Sequence, residues 1–414
     1  MSVSIFFSDP ARAMAQCTHY MVSPGKTLQG VQLQLQGPSH QGFPVAVMLP
    51  QGFRHEDGSF GQKVFETDAD GKIDITGVTC EAGTPTGQYL LIAECQDGHA
   101  LAEIFVQADI IPLKGQVYQT VIDSKGVLAY VVSQDEDRRH YVAVIEIASK
   151  SVIAEIVNPV RSPEAIALSP DDKYLYVCDR LARKLLVIDT QTLDTIAEGT
   201  LDRAGTRMQV HPDGNIAYIS SANFIMVVDL NTLNTIEYIF LDGTAAIIFN
   251  PNGRAYALFI TIGGSRIAVI DSQTHQIVTR LSLGGYCRKI SISPDKLSLY
   301  AAIYTKSETD IRSWIVVIDT LVDGFKNNIE HGRATISELG ISSDGKTLYA
   351  ANTYIPEIYA IDIQSQALET IPLGHGIQPY NISTSSTQIL GGDLEQSRLF
   401  VLNIKSRSKQ NSVT

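Results

Sequence analysis

A run of β-branched residues closed by an acidic or amide side chain recurs seven times in this chain: Glu146 in VIEIAS, Asp189 in VIDTQT, Asp229 in VVDLNT, Asp271 in VIDSQT, Asp319 in VIDTLV, Asp362 in AIDIQS and Asn403 in VLNIKS. Successive markers stand 43, 40, 42, 48, 43 and 41 residues apart. Roughly twenty residues before each marker lies a turn sequence, among them SPDD at Ser169 to Asp172, HPDG at His211 to Gly214, NPNG at Asn250 to Gly253 and SSDG at Ser342 to Gly345. Pro presets φ for the first central residue of a turn, Asp or Asn bonds its own backbone, and Gly accepts φ > 0. Each turn therefore separates two strands.

The segment after each turn reads LAYVV, YLYVCD, IAYIS, AYALFI, SLYAAI, TLYAAN or ILGGD, and the segment before it alternates small and apolar residues, as in EAIALS. A further strand follows the marker, as in SVIAEIV and QIVTRLS. Short runs rich in Val, Ile, Tyr and Leu between turns are strands. Four strands per unit of about 40–45 residues form a propeller blade, because one small sheet cannot bury both faces and must stack on its neighbours around an axis. The reading is a seven-bladed β-propeller.

The last unit lacks its fourth strand, since LFVLNI runs directly into the polar tail KSRSKQNSVT. The missing strand lies upstream. ADIIPLKGQVYQTVIDSKG from Ala108 parallels ALETIPLGHGIQPYNISTSS from Ala367, so Asp109 to Leu113 is a fourth strand with no blade before it. It is expected to pair with the final blade and close the ring, removing two sheet edges that would invite aggregation.

Residues 1–107 carry no marker and form a separate unit whose segments LQGVQLQLQG, FPVAVMLP, GQKVFETD, GKIDITGV, GQYLLIAECQ and HALAEIFVQ alternate like strands between the turns DGS, DADG, TPTG and QDG. This predicts a small antiparallel β-sandwich. The organisation expected is 1–107 sandwich, 108–405 propeller closed by the 109–113 strand, and 406–414 disordered tail; the fold class is all-β.

Charged residues make up 18% of the chain, and no apolar stretch approaches the roughly 20 residues that cross a bilayer, so the chain is not expected to be membrane-integral. A formal net charge of −12 argues against nucleic acid, which needs a basic footprint. The amino terminus MSVSIFFSDPARAMAQ has no basic region before its short apolar cluster and so does not read as a Sec signal peptide. The chain is expected to be cytoplasmic, exported by another route, or already lacking its signal. Five cysteines with no CxxC spacing argue against a disulfide framework or a haem attachment site. Cys80 and Cys95 could pair in an oxidising compartment but read as free, small hydrophobes; Cys178 and Cys287 read as packed.

The propeller half resembles the YVTN-type repeat proteins, a surface-layer and YncE-like group. Pro163, Ser169, Pro170, Asp171, Leu175, Tyr176, Val177, Val187, Ile188, Asp189 and Thr192 carry the pattern in the best-matching blade, and the likeness spans Asp109 to Ile404. That family includes surface-layer and binding proteins, and related propellers include lactonases and redox subunits. In the first unit, TDADGKIDITGV followed by GQYLLIAECQDGHALAEIFVQ resembles the closing half of bacterial immunoglobulin-like domains of the invasin and intimin type. There a Thr-Asp-x-x-Gly turn precedes a strand, and a Gly-x-Tyr hairpin ends the fold.

Repetition marks scaffold. The marker carboxylates are expected to bond nearby backbone N–H groups, a task Asn403 can perform without charge, and Tyr130, Tyr176, Tyr218, Tyr256, Tyr300 and Tyr349 are expected to pack between blades. His211 replaces Ser in a repeat turn. Departures from the repeat are where function is sought, and they concentrate in two places. The first is the start of each innermost strand, around the mouth of the central channel. Arg161, Glu164, Arg207, Tyr286, Arg288, Lys289, Arg333, Glu338, His375 and Tyr380 stand there, a basic set on an acidic protein. Convergent Arg and Lys suit an anionic ligand or an acidic loop of a partner. A solvated channel with internal salt bridges, such as Arg161 with Glu164, is the alternative. The second departure is the loops joining second and third strands, with Asp135, Arg138, Arg139, Asp310, Arg312 and Trp314, the only tryptophan. An exposed Trp would anchor a partner; packing at the start of IVVID is its other reading.

No GxSxG, HExxH, Walker loop or Cys-His pairing is present, so no catalytic residue, metal site or cofactor is assigned. The function expected is non-enzymatic recognition or scaffolding, binding a protein or small anionic ligand through the propeller faces, in a bacterial surface, secretion or adhesion context. Two alternatives stand beside it. One is a lactonase-like hydrolase or lyase using Glu164, Glu338 and His375 at the channel mouth; the other is a carbohydrate-binding propeller.

Overall fold

The computed structural model describes residues 4–8, 19–36, 41–96, 98–135, 137, 139–157, 162–241, 243–306, 311–330, 336–352, 354–373, 377–385, 387–393 and 396–404. The chain divides into two compact units between Asp109 and Ile110, with short pieces from the far end grouped with the first. Among the described residues the regular structure is all strand, and no helix is long and apolar enough to cross a membrane.

The second unit is a seven-bladed β-propeller. Its sheets are four-stranded, and six of them are consecutive in sequence, from Gly115–Ile122, Leu128–Asp135, His140–Glu146 and Ser151–Ile156 in blade 1 to Glu338–Ile341, Thr347–Ala351, Glu357–Asp362 and Leu368–Pro372 in blade 6. The seventh is composite: Pro379–Thr384, Gln388–Asp393 and Arg398–Asn403 are completed by Asp109–Pro112 from the other end of the chain. First strands of successive blades pack side by side, and that of blade 7 packs against that of blade 1. At this seam Ser383 Oγ donates to the Thr120 carbonyl at 3.2 Å, and Asn381 Nδ2 donates to the Tyr118 carbonyl.

The period of two along each strand sends alternate residues to the two neighbours of a blade. In blade 3, Ala217 and Ile219 join the core shared with blade 2, whereas the intervening Tyr218 joins the core shared with blade 4. All six repeat tyrosines are at most 5% exposed. The five marker aspartates, Asp189, Asp229, Asp271, Asp319 and Asp362, each cap a turn. Asp189 accepts from the N–H groups of Gln191 and Thr192 at 2.8 and 2.9 Å, and Asp229 and Asp271 repeat the arrangement with Asn231 and Thr232, and with Gln273 and Thr274. Those donors hold the three carboxyls below the usual range. Four residues after the marker, Lys150, Leu193, Leu233, His275, Asp323 and Gln366 all adopt positive φ without being glycine, a regularity that composition does not announce.

Two of these left-handed residues meet a tyrosine hydroxyl of the preceding blade. Tyr256 donates its hydroxyl to Asp323 Oδ1 at 2.7 Å, and the Tyr218 hydroxyl lies 2.8 Å from His275 Nδ1. Burial lowers the His275 pKa, aided by His211 and opposed by Glu237 and Asp271. The folded protein therefore holds this ring neutral, while the unfolded chain takes up a proton as the pH falls through about 6.5. The stability contributed by the neutral contact is present above that pH and is lost as the pH falls towards the lowered value. His275→Asn, which tolerates the left-handed backbone, is expected to flatten the decline in urea midpoint between pH 7.5 and 5.5. An unchanged slope would assign the decline to other groups.

The first unit has two main sheets closing on one core that includes Phe7, Leu33, Val47, Phe53, Leu91 and Ile104. One orders Ser4–Ser8, Gln32–Gln36 and Lys72–Asp74; the other orders His19–Val22, Gly98–Val106, Gly87–Cys95, Pro44–Met48 and Gln62–Glu66. Six of these strands fall within the alternating segments. Ser4–Ser8 and His19–Val22 do not, and the latter joins Gly98–Val106 in parallel, a departure from a wholly antiparallel sandwich. A four-residue strand at a sheet edge, paired on one side, needs no strict alternation, so pattern alone passes over it. Cys80, Cys95, Cys178 and Cys287 are free; Cys17 and the tail 406–414 lie outside the described residues. Burial pushes the Cys287 thiol up to about 12, as expected of a packed thiol.

Candidate functional site

Five of the seven innermost strands carry a register shift near their starts: between Val117 and Gln119, Pro163 and Ala165, Thr244 and Ala246, Cys287 and Ile290, and Tyr380 and Ser383. A regular strand sends consecutive side chains to opposite faces, whereas a bulge turns neighbours the same way. In blade 5 this brings the adjacent Arg288 and Lys289 to one cavity, and in blade 7 it does the same for Tyr380 and Asn381.

That cavity, about 380 Å³, is lined from six blades. It gathers five of the sequence-predicted residues: Arg207, Arg288, Lys289, Glu338 and Tyr380. Gln119, Gln209, Ser337 and Asn381 add polar groups, and Met208, Ile248, Ile260 and Ile290 supply apolar wall. Gln119 also spans to the next blade, its amide accepting from Ile166 N–H at 3.2 Å and donating to Ile166 O at 3.1 Å. Asn381 adopts a left-handed backbone at φ 49°, which Asn tolerates better than most residues; an Asn within the PYNIST strand was the one available sign of it.

The cations differ in commitment. Arg207 Nη1 donates to the carbonyl of Thr206 at 2.7 Å, and its remaining donors are free to turn inward. Arg288 is exposed and has no ion-pair or hydrogen-bond partner among the described residues. Lys289 Nζ stands 3.5 Å from Glu338 Oε2. Glu338 is only 6% exposed, and its Oε2 is buried with no hydrogen-bond donor among the described residues, since 3.5 Å is an ion-pair distance rather than a hydrogen bond.

Other predicted residues are placed elsewhere. Glu164 does not line the cavity; within its bulge it turns to Arg180, 3.2 Å away at the hairpin following the second strand of the same blade. Tyr286 faces Tyr304 at 5.8 Å between ring centroids and flanks the mouth rather than lining the cavity. Arg161, Arg333 and His375 lie outside the described residues. The hydrolase arrangement of Glu164, Glu338 and His375 thus loses Glu164 to an ion pair, and among the described residues no three His, Cys, Asp or Glu side chains converge as metal ligands.

The second predicted region resolves differently. Arg139 pairs within its own loop with Asp135 at 3.1 Å and Asp137 at 2.6 Å, so its charge is spent locally. Arg312 and Trp314 are not loop residues: they lie in the strand Ile311–Asp319, paired opposite Thr305 and Ile303. Trp314 is half-buried against the core of blades 4 and 5, which is the packing alternative. Arg138 and Asp310 lie outside the described residues.

Two further features are scaffold. A cleft of about 520 Å³ between blades 2 and 3 is lined by residues of the repeat, among them Ser169, whose Oγ donates to Asp171 Oδ1 at 2.7 Å. His211 lies 2.8 Å from Asp213 Oδ1 through Nδ1 and 3.2 Å from Ser272 Oγ through Nε2. This superficially triad-like set follows from the repeat. The Ser–Asp contact of equivalent turns is kept, at 2.5 Å for Ser293 with Asp295 and 2.6 Å for Ser342 with Asp344. His211 reaches further, to Ser272, which is buried among repeat residues.

No protein-family model matches the chain, and no curated protein matches it in sequence. Solved structures do match in fold. A chain of Kuenenia stuttgartiensis hydrazine synthase superposes with a TM-score of 0.61 at 17% identity, covering 72% of this chain and 97% of that one. The β-propeller domain of Myceliophteria thermophila Cps50 (Swd1) superposes with a TM-score of 0.57 at 16% identity, covering 72% of this chain and 100% of that one. At such identities the likeness is one of fold.

Proposed function

We propose that the propeller is a non-enzymatic recognition module of the YVTN-repeat type that takes a small anionic ligand in the channel cavity. One observation carries this reading: Arg207, Arg288 and Lys289 converge on a single cavity against one carboxylate, in a chain of formal charge −12. A local excess of positive charge on an acidic protein concentrates anions there, and a guanidinium without a partner among the described residues is ready to make charge-assisted hydrogen bonds. The first unit serves as an immunoglobulin-like tether of the bacterial invasin type. Its Tyr89 hydroxyl donates to the Pro85 carbonyl at 2.7 Å, in the manner of the tyrosine that pins a corner of immunoglobulin-like sandwiches.

The test is calorimetric titration of the full chain with inorganic phosphate, succinate and short monocarboxylates. At least one is expected to bind, more weakly as salt is raised. Arg288→Ala should weaken it about 10- to 100-fold, the loss of a hydrogen bond to a charged group of about 1.5–3 kcal/mol. Failure of all these anions to bind, or affinity indifferent to Arg288→Ala and Arg207→Ala together, would overturn the reading.

A further inference from the structure

We infer that the ligand also carries an ammonium group: the site is built for an aliphatic amino acid rather than a simple anion. The inference rests on the anion-binding reading above and adds to it from a different residue. Glu338 opens the innermost strand Glu338–Ile341 of blade 6 and lines the cavity with its side chain. A carboxylate this buried is costly unless its oxygens receive donors, and its Oε2 receives none among the described residues. Lys289 moderates the charge from 3.5 Å without supplying a hydrogen bond.

The vacancy is thus for a donor, and the charge of Glu338 favours a cationic one. A ligand with a carboxylate for Arg207 and Arg288 and an adjacent ammonium for Glu338 would satisfy both signs of the site at once. A dicarboxylate would place its second charge against Glu338, so the same residue that attracts one ligand class repels another. The remaining wall, with Met208, Ile248 and Ile260, is aliphatic and suits a hydrocarbon side chain. The cavity volume accommodates a molecule of this size.

The experiment compares leucine, its deaminated counterpart 4-methylpentanoate, and succinate, each titrated calorimetrically into the full chain and into Glu338→Gln. Leucine is expected to bind at least tenfold more tightly than 4-methylpentanoate, and Glu338→Gln should reduce that ratio to within about threefold. Equal affinity of the intact chain for leucine and 4-methylpentanoate, or preference for succinate, would overturn the ammonium inference while leaving the anion reading standing. If none of the three binds and phosphate does not bind either, both fail. The comparison of leucine with 4-methylpentanoate needs no variant, so it decides the matter even where Glu338→Gln disturbs folding.

Discussion

Replacing Ile111 by Asp is expected to destabilise the propeller by about 4 kcal/mol or more, whereas the same change at the adjacent Ile110 should cost less than about 1 kcal/mol. The two residues share the strand Asp109–Pro112, which supplies the outer edge of blade 7. Ile111 is 1% exposed and Ile110 is 40% exposed, as alternation along a strand requires. A carboxylate at 111 would be buried without a partner; at 110 it would remain in water. Because the strand joins one end of the ring to the other, its loss leaves blade 7 with an unpaired edge. Urea unfolding followed by circular dichroism measures both variants. Equal, small losses would mean that this strand contributes little to holding the ring closed.

Gly391→Ala should cost about 2–3 kcal/mol, at the upper end of what overpacking a core exacts. A Cβ at Gly391 would stand 2.3 Å from Phe400 Cζ and 3.1 Å from Ile382 Cγ2. Phe400 is fully buried, so the ring has no free volume into which to retreat. Adding Phe400→Leu should recover part of the loss, so that the double variant is more stable than the sum of the single changes predicts. Strict additivity in thermal or urea denaturation would show that the two residues do not compete for the same space.

These two cases show how unevenly the chain discloses its structure. The ILGGD segment reads as a worn copy of TLYAAN, and by pattern alone its glycines are erosion. In the fold Gly391 makes room for Phe400 on the paired strand and Gly392 for Val117 of blade 1, relations between residues that no local motif encodes. The marker carboxylates are the opposite case. Asp189 bonds the N–H groups two and three residues ahead, so the whole interaction lies within four consecutive residues and is readable there. Trp314 was ambiguous for the same reason that Gly391 was opaque: whether a side chain at a blade edge is exposed depends on the neighbouring blade.

The candidate site divides along the same line. Its general location at the starts of the innermost strands was legible, because a repeat makes its own exceptions visible. Which exceptions meet was not. Glu164 and Glu338 look alike in sequence, yet one turns to Arg180 and the other enters the cavity beside Lys289.

By itself, then, the sequence determined the number of blades and the turns that bound their strands, because both are written in short-range hydrogen bonding and a period repeated seven times. Only the tertiary structure decided which cations share a cavity, that Arg288 and Lys289 both face it, and that Glu338 lines it beside Lys289. Those facts depend on bulges that shift register by one or two residues and on side chains meeting across blades some forty residues apart or more. Neither leaves a mark in the local pattern of polar and apolar residues.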